Sequence, residues 1–262
     1  MITMALSDYI NQTQYPIENQ AFREACQQSL KQDGALVLPN FLQEQVIQAI
    51  VDEGNLKKDS AFYTQSSHNV YLNEIDSNFP LEHARNQQVN SSKGCITDDQ
   101  IDQDSVLRNL YDSSLLRAFL ASVLEEKGLY EYGDNLSSIN LHYASEGQEL
   151  GWHFDNSSFA ITLLIQKPEA GGVFEYIENM RDADAGEMNY EGVSDVLTGK
   201  AQVKQLAIDP GALVLFRGRN AIHRVTPTQG STTRMLVVLA YNSKPDIALS
   251  EAARMTFYGR LV

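Results

Sequence analysis

In the stretch GWHFDNSSFAITLLIQ, residues 151–166, a histidine and an aspartate stand two apart at the mouth of an apolar run. In a strand, residues i and i+2 point to one face. His153 and Asp155 can therefore offer an imidazole nitrogen and a carboxylate oxygen to the same divalent ion. A third ligand must come from elsewhere, and His223, in FRGRNAIHRVTPT, also starts a β-type run after a turn. Two histidines and one carboxylate on one face leave the other coordination positions open. That is the pattern of non-haem Fe(II) sites, which admit a co-substrate and O2. His and Asp ligands serve zinc hydrolysis equally well, and an isolated HxD arises often by chance. Arg234 narrows the chemistry. It heads the apolar run RMLVVLAYN, where a guanidinium is costly to bury without an anion. Its fork suits a carboxylate, so it could anchor the far end of a dicarboxylic co-substrate whose other end chelates the metal.

The elements that must position these residues are legible in outline. Residues 18–33 read as an amphipathic helix ended by Gly34, followed by a short strand in GALVLPNFL and a second helix over 43–54 with a glycine stop. Residues 55–105 are polar and irregular, with isolated strand-like pieces such as NVYLNEI. SSLLRAFLASVLEEKG, 113–128, predicts a helix whose stripe is Leu115, Leu116, Phe119, Leu120 and Val123, with Ser113 as its cap. After Gly133 come short β-type runs separated by Gly, Pro, Asn or Asp: SSINLHYAS, FAITLLIQ, GGVFEYI, KQLAI, GALVLF, IHRVTPT and TRMLVVLAYN. They predict a mainly β protein with N-terminal helices, built on a sandwich or jelly roll. The acidic segment 178–202 is too long for a hairpin loop and reads as a lid or an edge-covering insert. The expected organisation is one domain over 1–262: a helical and loop support region at 1–133, a β core at 134–245 and a C-terminal tail at 246–262.

Composition excludes several roles. The 262 residues are 43% hydrophobic, enough for one sizeable core. The net charge of −14 repels phosphate backbones, so no nucleic-acid partner is expected. Cys26 and Cys95 lack CxxC spacing, which predicts a reducing compartment and no thiolate metal site. No run is long enough to span a bilayer, and MITMALSDYINQTQYPIE has no signal-peptide pattern. A cytoplasmic location with no membrane partner is the expectation, and the oligomeric state stays open.

His153-x-Asp155, His223 and Arg234 together resemble the signature of the Fe(II)/2-oxoglutarate-dependent dioxygenase superfamily. The upstream LHYASEGQELGWHFD is similar to its prolyl-4-hydroxylase-like branch. WHFDNSSFAITLLIQKPEAGGVFEYI further resembles a small group of free-amino-acid hydroxylases and halogenases. The resemblance implies a double-stranded β-helix core with flanking α-helices, carrying Fe(II) at one mouth. It also implies 2-oxoglutarate and O2 as co-substrates, with oxidative decarboxylation coupled to oxidation of a substrate C–H. Halogenase members carry a small residue in place of the ligating carboxylate. This chain keeps Asp155, so the resemblance implies hydroxylation of a small molecule, above all a free amino acid or amino-acid derivative.

The same resemblance implies Tyr143 beside the co-substrate with Arg234, a packed core tyrosine being the alternative, while Thr162 shares a strand face with Ala160 and Leu164 and could reach the co-substrate. Arg85, Asn156 and His142 are candidates for substrate binding, Arg85 through the same fork geometry. Trp152 and Arg224 read as packing residues beside the ligands. Three alternatives stay open: hydroxylation of a protein or peptide side chain, a metal-dependent hydrolase, and a non-catalytic jelly-roll binding module.

Overall fold

The computed structural model describes residues 5–262; the first residues of the stretch inspected for a signal peptide lie outside them. Asn19 accepts a hydrogen bond from the Phe22 N–H and Gly34 adopts φ 68°, and between these caps runs α1, Gln20–Asp33. It is followed by β1 (Ala35–Leu38), α2 (Glu44–Lys57), β2 (Phe62–Asn69) and β3 (Gln88–Ile96). Next come α3 (Val106–Asp112) and α4 (Ser114–Leu124). Ser113 caps α4 through the Leu116 N–H, a contribution of about 1 kcal/mol.

Two sequence expectations change here. Gly54 does not stop α2 but lies inside it. A Cβ there would stand 3.0 Å from Leu141 Cδ2 and 3.2 Å from Met235 Sδ, so the glycine allows close approach of helix and sheet. In α4 the buried stripe is Leu116, Phe119, Leu120, Val123 and Leu124, and Leu115 is exposed.

The β core comprises β4 (Ile139–Ala144), β5 (Leu150–His153), β6 (Ala160–Gln166), β7 (Ala170–Gly171) and β8 (Phe174–Ile177). After α5 (Tyr190–Leu197) it continues with β9 (Lys204–Leu206), β10 (Leu213–Phe216), β11 (Ile222–Val225), β12 (Thr228–Gln229) and β13 (Arg234–Leu239), and α6 (Glu251–Tyr258) closes the chain. Eleven strands form one sheet in the order β1-β10-β6-β13-β4-β3-β5-β11-β8-β9, with β2 paired to β3. All named pairings in it are antiparallel. Strand β3 is the corner. Its Gly94–Ile96 end pairs with β4, and Ser91 pairs with Leu150 of β5. The sheet thus folds into two facing layers, β10-β6-β13-β4 and β9-β8-β11-β5, the jelly-roll arrangement of a double-stranded β-helix.

Alternation decides what each face of the larger layer does. Ile139, Leu141 and Tyr143, Ile161, Leu163 and Ile165, and Met235, Val237 and Leu239 pack with α1–α4 in the main core. Full burial of a side chain such as Phe119 stabilises by roughly 1.5–3 kcal/mol. The intervening residues, His142, Thr162, Arg234 and their neighbours, face the smaller layer.

The N-terminal half supplies β1, the strand expected in GALVLPNFL, together with β2 and β3, and the strand-like piece NVYLNEI begins only where β2 (Phe62–Asn69) ends. The 178–202 insert covers the outside of the smaller layer. Val193 and Val196 of α5 cluster there with Trp152, Phe154 and Ile222. The 246–262 tail contains α6, whose Tyr258 hydroxyl donates to Asn140 Oδ1 at 2.9 Å.

Candidate metal centre and co-substrate pocket

His153 ends β5 and His223 lies on β11, and the two are direct cross-strand partners. Asp155 lies just past β5, where its backbone N–H donates to the Gly218 carbonyl at 3.1 Å. One ligand atom from each of His153, Asp155 and His223 lies within 4.8 Å of the others. Asp155 Oδ1 is 3.6 Å from His153 Nε2 and 3.5 Å from His223 Nε2. These gaps are long for hydrogen bonds and close to the separation of about 3 Å that metal bonds of 2.0–2.2 Å at right angles require.

The imidazoles are already set for a metal. Nδ1 of His153 donates to the Gly151 carbonyl at 2.8 Å, and Nδ1 of His223 to the Ala221 carbonyl at 3.0 Å. Each Nε2 therefore keeps its lone pair and points it at the shared space. Both rings are buried, and Phe174 (5.5 Å between centroids) and Phe216 (4.8 Å) pack on His223. Burial, then the neighbouring His223, pushes the His153 pKa down, which favours the neutral ligand form. Burial alone would push Asp155 up. The electrostatic influence of His223, then His153, outweighs it, so the carboxyl is held well below the ordinary range and is ionised.

Gly218 makes room for that carboxylate: a Cβ at 218 would lie 1.9 Å from Asp155 Oδ2. The loops around it are cross-braced. Arg181 donates from Nε to the Arg219 carbonyl at 2.8 Å and stacks 4.1 Å from the centroid of the Phe154 ring. Arg219 donates to the Asn156 carbonyl at 3.2 Å.

Arg234 heads β13 on the inward face and is 7% exposed. Among the described residues, no hydrogen bond or ion pair satisfies its guanidinium. Burial pushes its pKa down to about 10, which still leaves it cationic. Thr162 shares the inward face, opposite Val214 and Val238.

Tyr143 does not join them. It is fully buried on the helix side, where its hydroxyl donates to the Gly54 carbonyl at 2.7 Å. The register puts His142 inward instead, opposite Leu236 of β13 and Cys95 of β3. Its ring takes a hydrogen bond from Lys93, with Nζ 3.1 Å from Nε2.

Asn156 is exposed at the rim beyond Asp155. Arg85 is half-buried, and among the described residues its Nη1 has no hydrogen-bond partner. Trp152 and Arg224 face away from the ligands, Arg224 stacked 4.7 Å from the Trp152 ring and paired with Glu175 at 2.7 Å.

Sequence reasoning missed His68, whose ring stands edge-on to His153 at 6.3 Å and hydrogen-bonds Ser91 at 2.7 Å. It also missed Gly218, Arg181 and Lys93. For His68 and Lys93 the available signal was alternation along β2 and β3. For Gly218 and Arg181 the sequence carries none.

A family model described as halogenase D matches residues 17–257. The fold is similar to that of an oxidoreductase of the 2OG-Fe(II) oxygenase family from Burkholderia pseudomallei (TM-score 0.55, 11% identity, covering 87% of this chain and 94% of that one). It is similar to a non-heme alpha ketoglutarate dependent carbocyclase from nogalamycin biosynthesis (TM-score 0.59, 10% identity, 86% and 85%). A Pseudomonas putida prolyl-4-hydroxylase is a third neighbour (TM-score 0.51, 13% identity, 82% and 96%). At these identities the likeness is one of fold. No curated protein matches the sequence.

Proposed function

The chain belongs to the halogenase D family, and from that premise we propose that it hydroxylates an unactivated C–H of a free amino acid or amino-acid derivative. It is an Fe(II)- and 2-oxoglutarate-dependent oxygenase, and His153, Asp155 and His223 are the residues that would hold the iron. When bound, the iron and 2-oxoglutarate supply O2 activation through oxidative decarboxylation. The protein's own part is binding and orientation. The two Nδ1–H···O=C bonds fix both rings as Nε2 ligands. Arg234 grips the distal carboxylate of the co-substrate, and Thr162 lies on the same face. Arg85 and Asn156 contact the substrate from the rim.

One observation supports hydroxylation over halogenation. The Asp155 carboxylate is grouped with His153 and His223 as a third available ligand, with Gly218 packed against it. A halide has no vacated position to enter. The uncompensated Arg234 speaks against a hydrolase, which needs no dicarboxylate anchor. The two free, buried cysteines support a cytoplasmic setting. Among the described residues, no helix is long and apolar enough to cross a membrane.

The test is succinate formation from 2-oxoglutarate under air with added Fe(II), across a panel of free amino acids in chloride buffer. We expect one member to stimulate turnover and to gain one oxygen atom by mass spectrometry. Replacement of its hydrogen by chlorine would refute hydroxylation. Indifference to every amino acid would refute the substrate class.

A further inference from the structure

Inside the barrel, a second group of basic side chains stands apart from the metal ligands. Arg234 pairs across the sheet with Ala144 of β4. Lys93 of β3 is one residue beyond the Gly94–Tyr143 pair, which places it on the other flank of Ala144. On this inward face Ala144 thus lies between the register positions of Arg234 and Lys93, with no bulk of its own to separate them. His142 shares that face, one alternation along β4.

Lys93 is short of partners. An ammonium has three N–H donors. Among the described residues its only hydrogen-bond partner is the His142 ring, with Nζ 3.1 Å from Nε2 and 3.5 Å from Nδ1. The Phe257 ring of α6 lies 5.6 Å away. Burial, then the charges of Lys93 and Arg234, hold the His142 pKa well below its ordinary value, so the ring is a neutral acceptor. The inward positions of β3, β4, β6, β10 and β13 carry no carboxylate. Two cations in a largely desolvated space without an anion are unfavourable until one arrives. In a chain of net charge −14, this local excess of positive charge is a property of the pocket.

We propose that Lys93, held in place by His142, is a second carboxylate-binding cation of the barrel, facing Arg234 across Ala144. The inference rests on the oxygenase reading above and extends it. The carboxylate it takes belongs either to the distal end of 2-oxoglutarate, shared with Arg234, or to the primary substrate. In both cases the group presented to this wall is an anion, and an amine-terminated portion of a substrate is turned away from it.

The test uses the full-length protein loaded with Fe(II) without oxygen. Binding of 2-oxoglutarate is followed by the charge-transfer absorption of its iron chelate, alongside 2-oxovalerate, which lacks the distal carboxylate. Binding of the amino acid that stimulates turnover is measured by calorimetry on the 2-oxoglutarate complex, alongside its carboxamide. Lys93→Met removes the charge and keeps the length, Lys93→Gln is the second variant, and thermal unfolding checks both folds. If Lys93 shares the co-substrate, 2-oxoglutarate affinity falls roughly 10- to 100-fold and 2-oxovalerate affinity is unchanged. If it serves the substrate, 2-oxoglutarate affinity is unchanged, and the affinity for the acid falls to that of the carboxamide. Folded variants with wild-type affinity for both ligands overturn the proposal. Wild-type protein that binds no 2-oxoglutarate overturns the oxygenase reading and this inference with it, a result distinct from indifference at Lys93 alone.

Discussion

Replacing Gly218 with alanine would strike the metal centre without removing a ligand. The new Cβ would stand 1.9 Å from Asp155 Oδ2, 2.6 Å from Cγ and 3.0 Å from Cβ. Ordinary C···O contact begins at about 3.3 Å, so the carboxylate must retreat by roughly 1.4 Å. Rotation of the carboxylate alone does not relieve the contact at Cγ. Metal sites tolerate displacements of about 0.2 Å in ligand distance. Disturbing a residue that orients a ligand costs about 10- to 100-fold in affinity, or roughly 1.4–2.7 kcal/mol. Asp155 lies at the mouth and is only partly buried, so it can swing aside with little effect on the fold. We therefore expect Gly218→Ala to bind Fe(II), or Co(II) as a spectroscopic substitute, 10- to 100-fold more weakly by calorimetry. The melting temperature of the metal-free protein should move by a few degrees at most. Combined with Asp155→Gly, the alanine should add no further loss, because the group it displaces is gone. Wild-type metal affinity in a folded Gly218→Ala protein would refute the assignment of the Asp155 carboxylate to the third ligand position.

Tyr143→Phe separates the two faces of β4. It removes the hydrogen bond to the buried Gly54 carbonyl and should cost about 1–3 kcal/mol in chemical denaturation, with 2-oxoglutarate affinity unchanged; a weakened co-substrate would restore Tyr143 to the pocket. Arg260 ties the C-terminal segment to Asp99 through Nη1 at 2.8 Å and Nη2 at 2.6 Å. Both groups are partly exposed, so Arg260→Ala should lower global stability by less than about 1 kcal/mol while speeding proteolysis within 249–262, and unchanged proteolysis would count against the tie. Burial pushes Asp99 up, but the hydrogen bonds from Arg260 and Thr97 outweigh it and hold the carboxyl below its ordinary value. That stabilisation is present above the unfolded pKa of about 3.9 and lost as pH falls through the lower folded value. Hydrogen exchange corrected for intrinsic rates should therefore show α6 loosening in acid before the barrel does, and simultaneous loosening would contradict the sign.

What the sequence showed and what it hid follow one physical distinction. His153, Asp155, His223 and Arg234 were legible because each is a polar residue at the edge of an apolar run, where burial demands a reason. For Tyr143 the core position, not the co-substrate side, is the one its strand encodes. In INLHYA the apolar positions are Ile139, Leu141 and Tyr143, and that set faces the helices, which leaves His142 to the pocket. The resemblance implies a tyrosine near the co-substrate, whereas alternation puts Tyr143 on the side opposite Asn140 and His142. Strands β2 and β3 are harder to read for a physical reason. Thr64, Ser66 and His68 pair with Lys93, Ser91 and Val89, and of that face only Val89 is aliphatic. A strand that lines a polar pocket loses the alternation by which strands are recognised, so FYTQSSHN and QVNSSKGCI read as irregular. Gly54 and Gly218 could not be told apart by sequence, since each is explained only by what approaches it through space: a leucine and a methionine in one case, the metal-binding carboxylate in the other. The region that read worst, residues 55–105, therefore supplies the wall bearing Lys93, and its unreadability has the same cause as its proposed role.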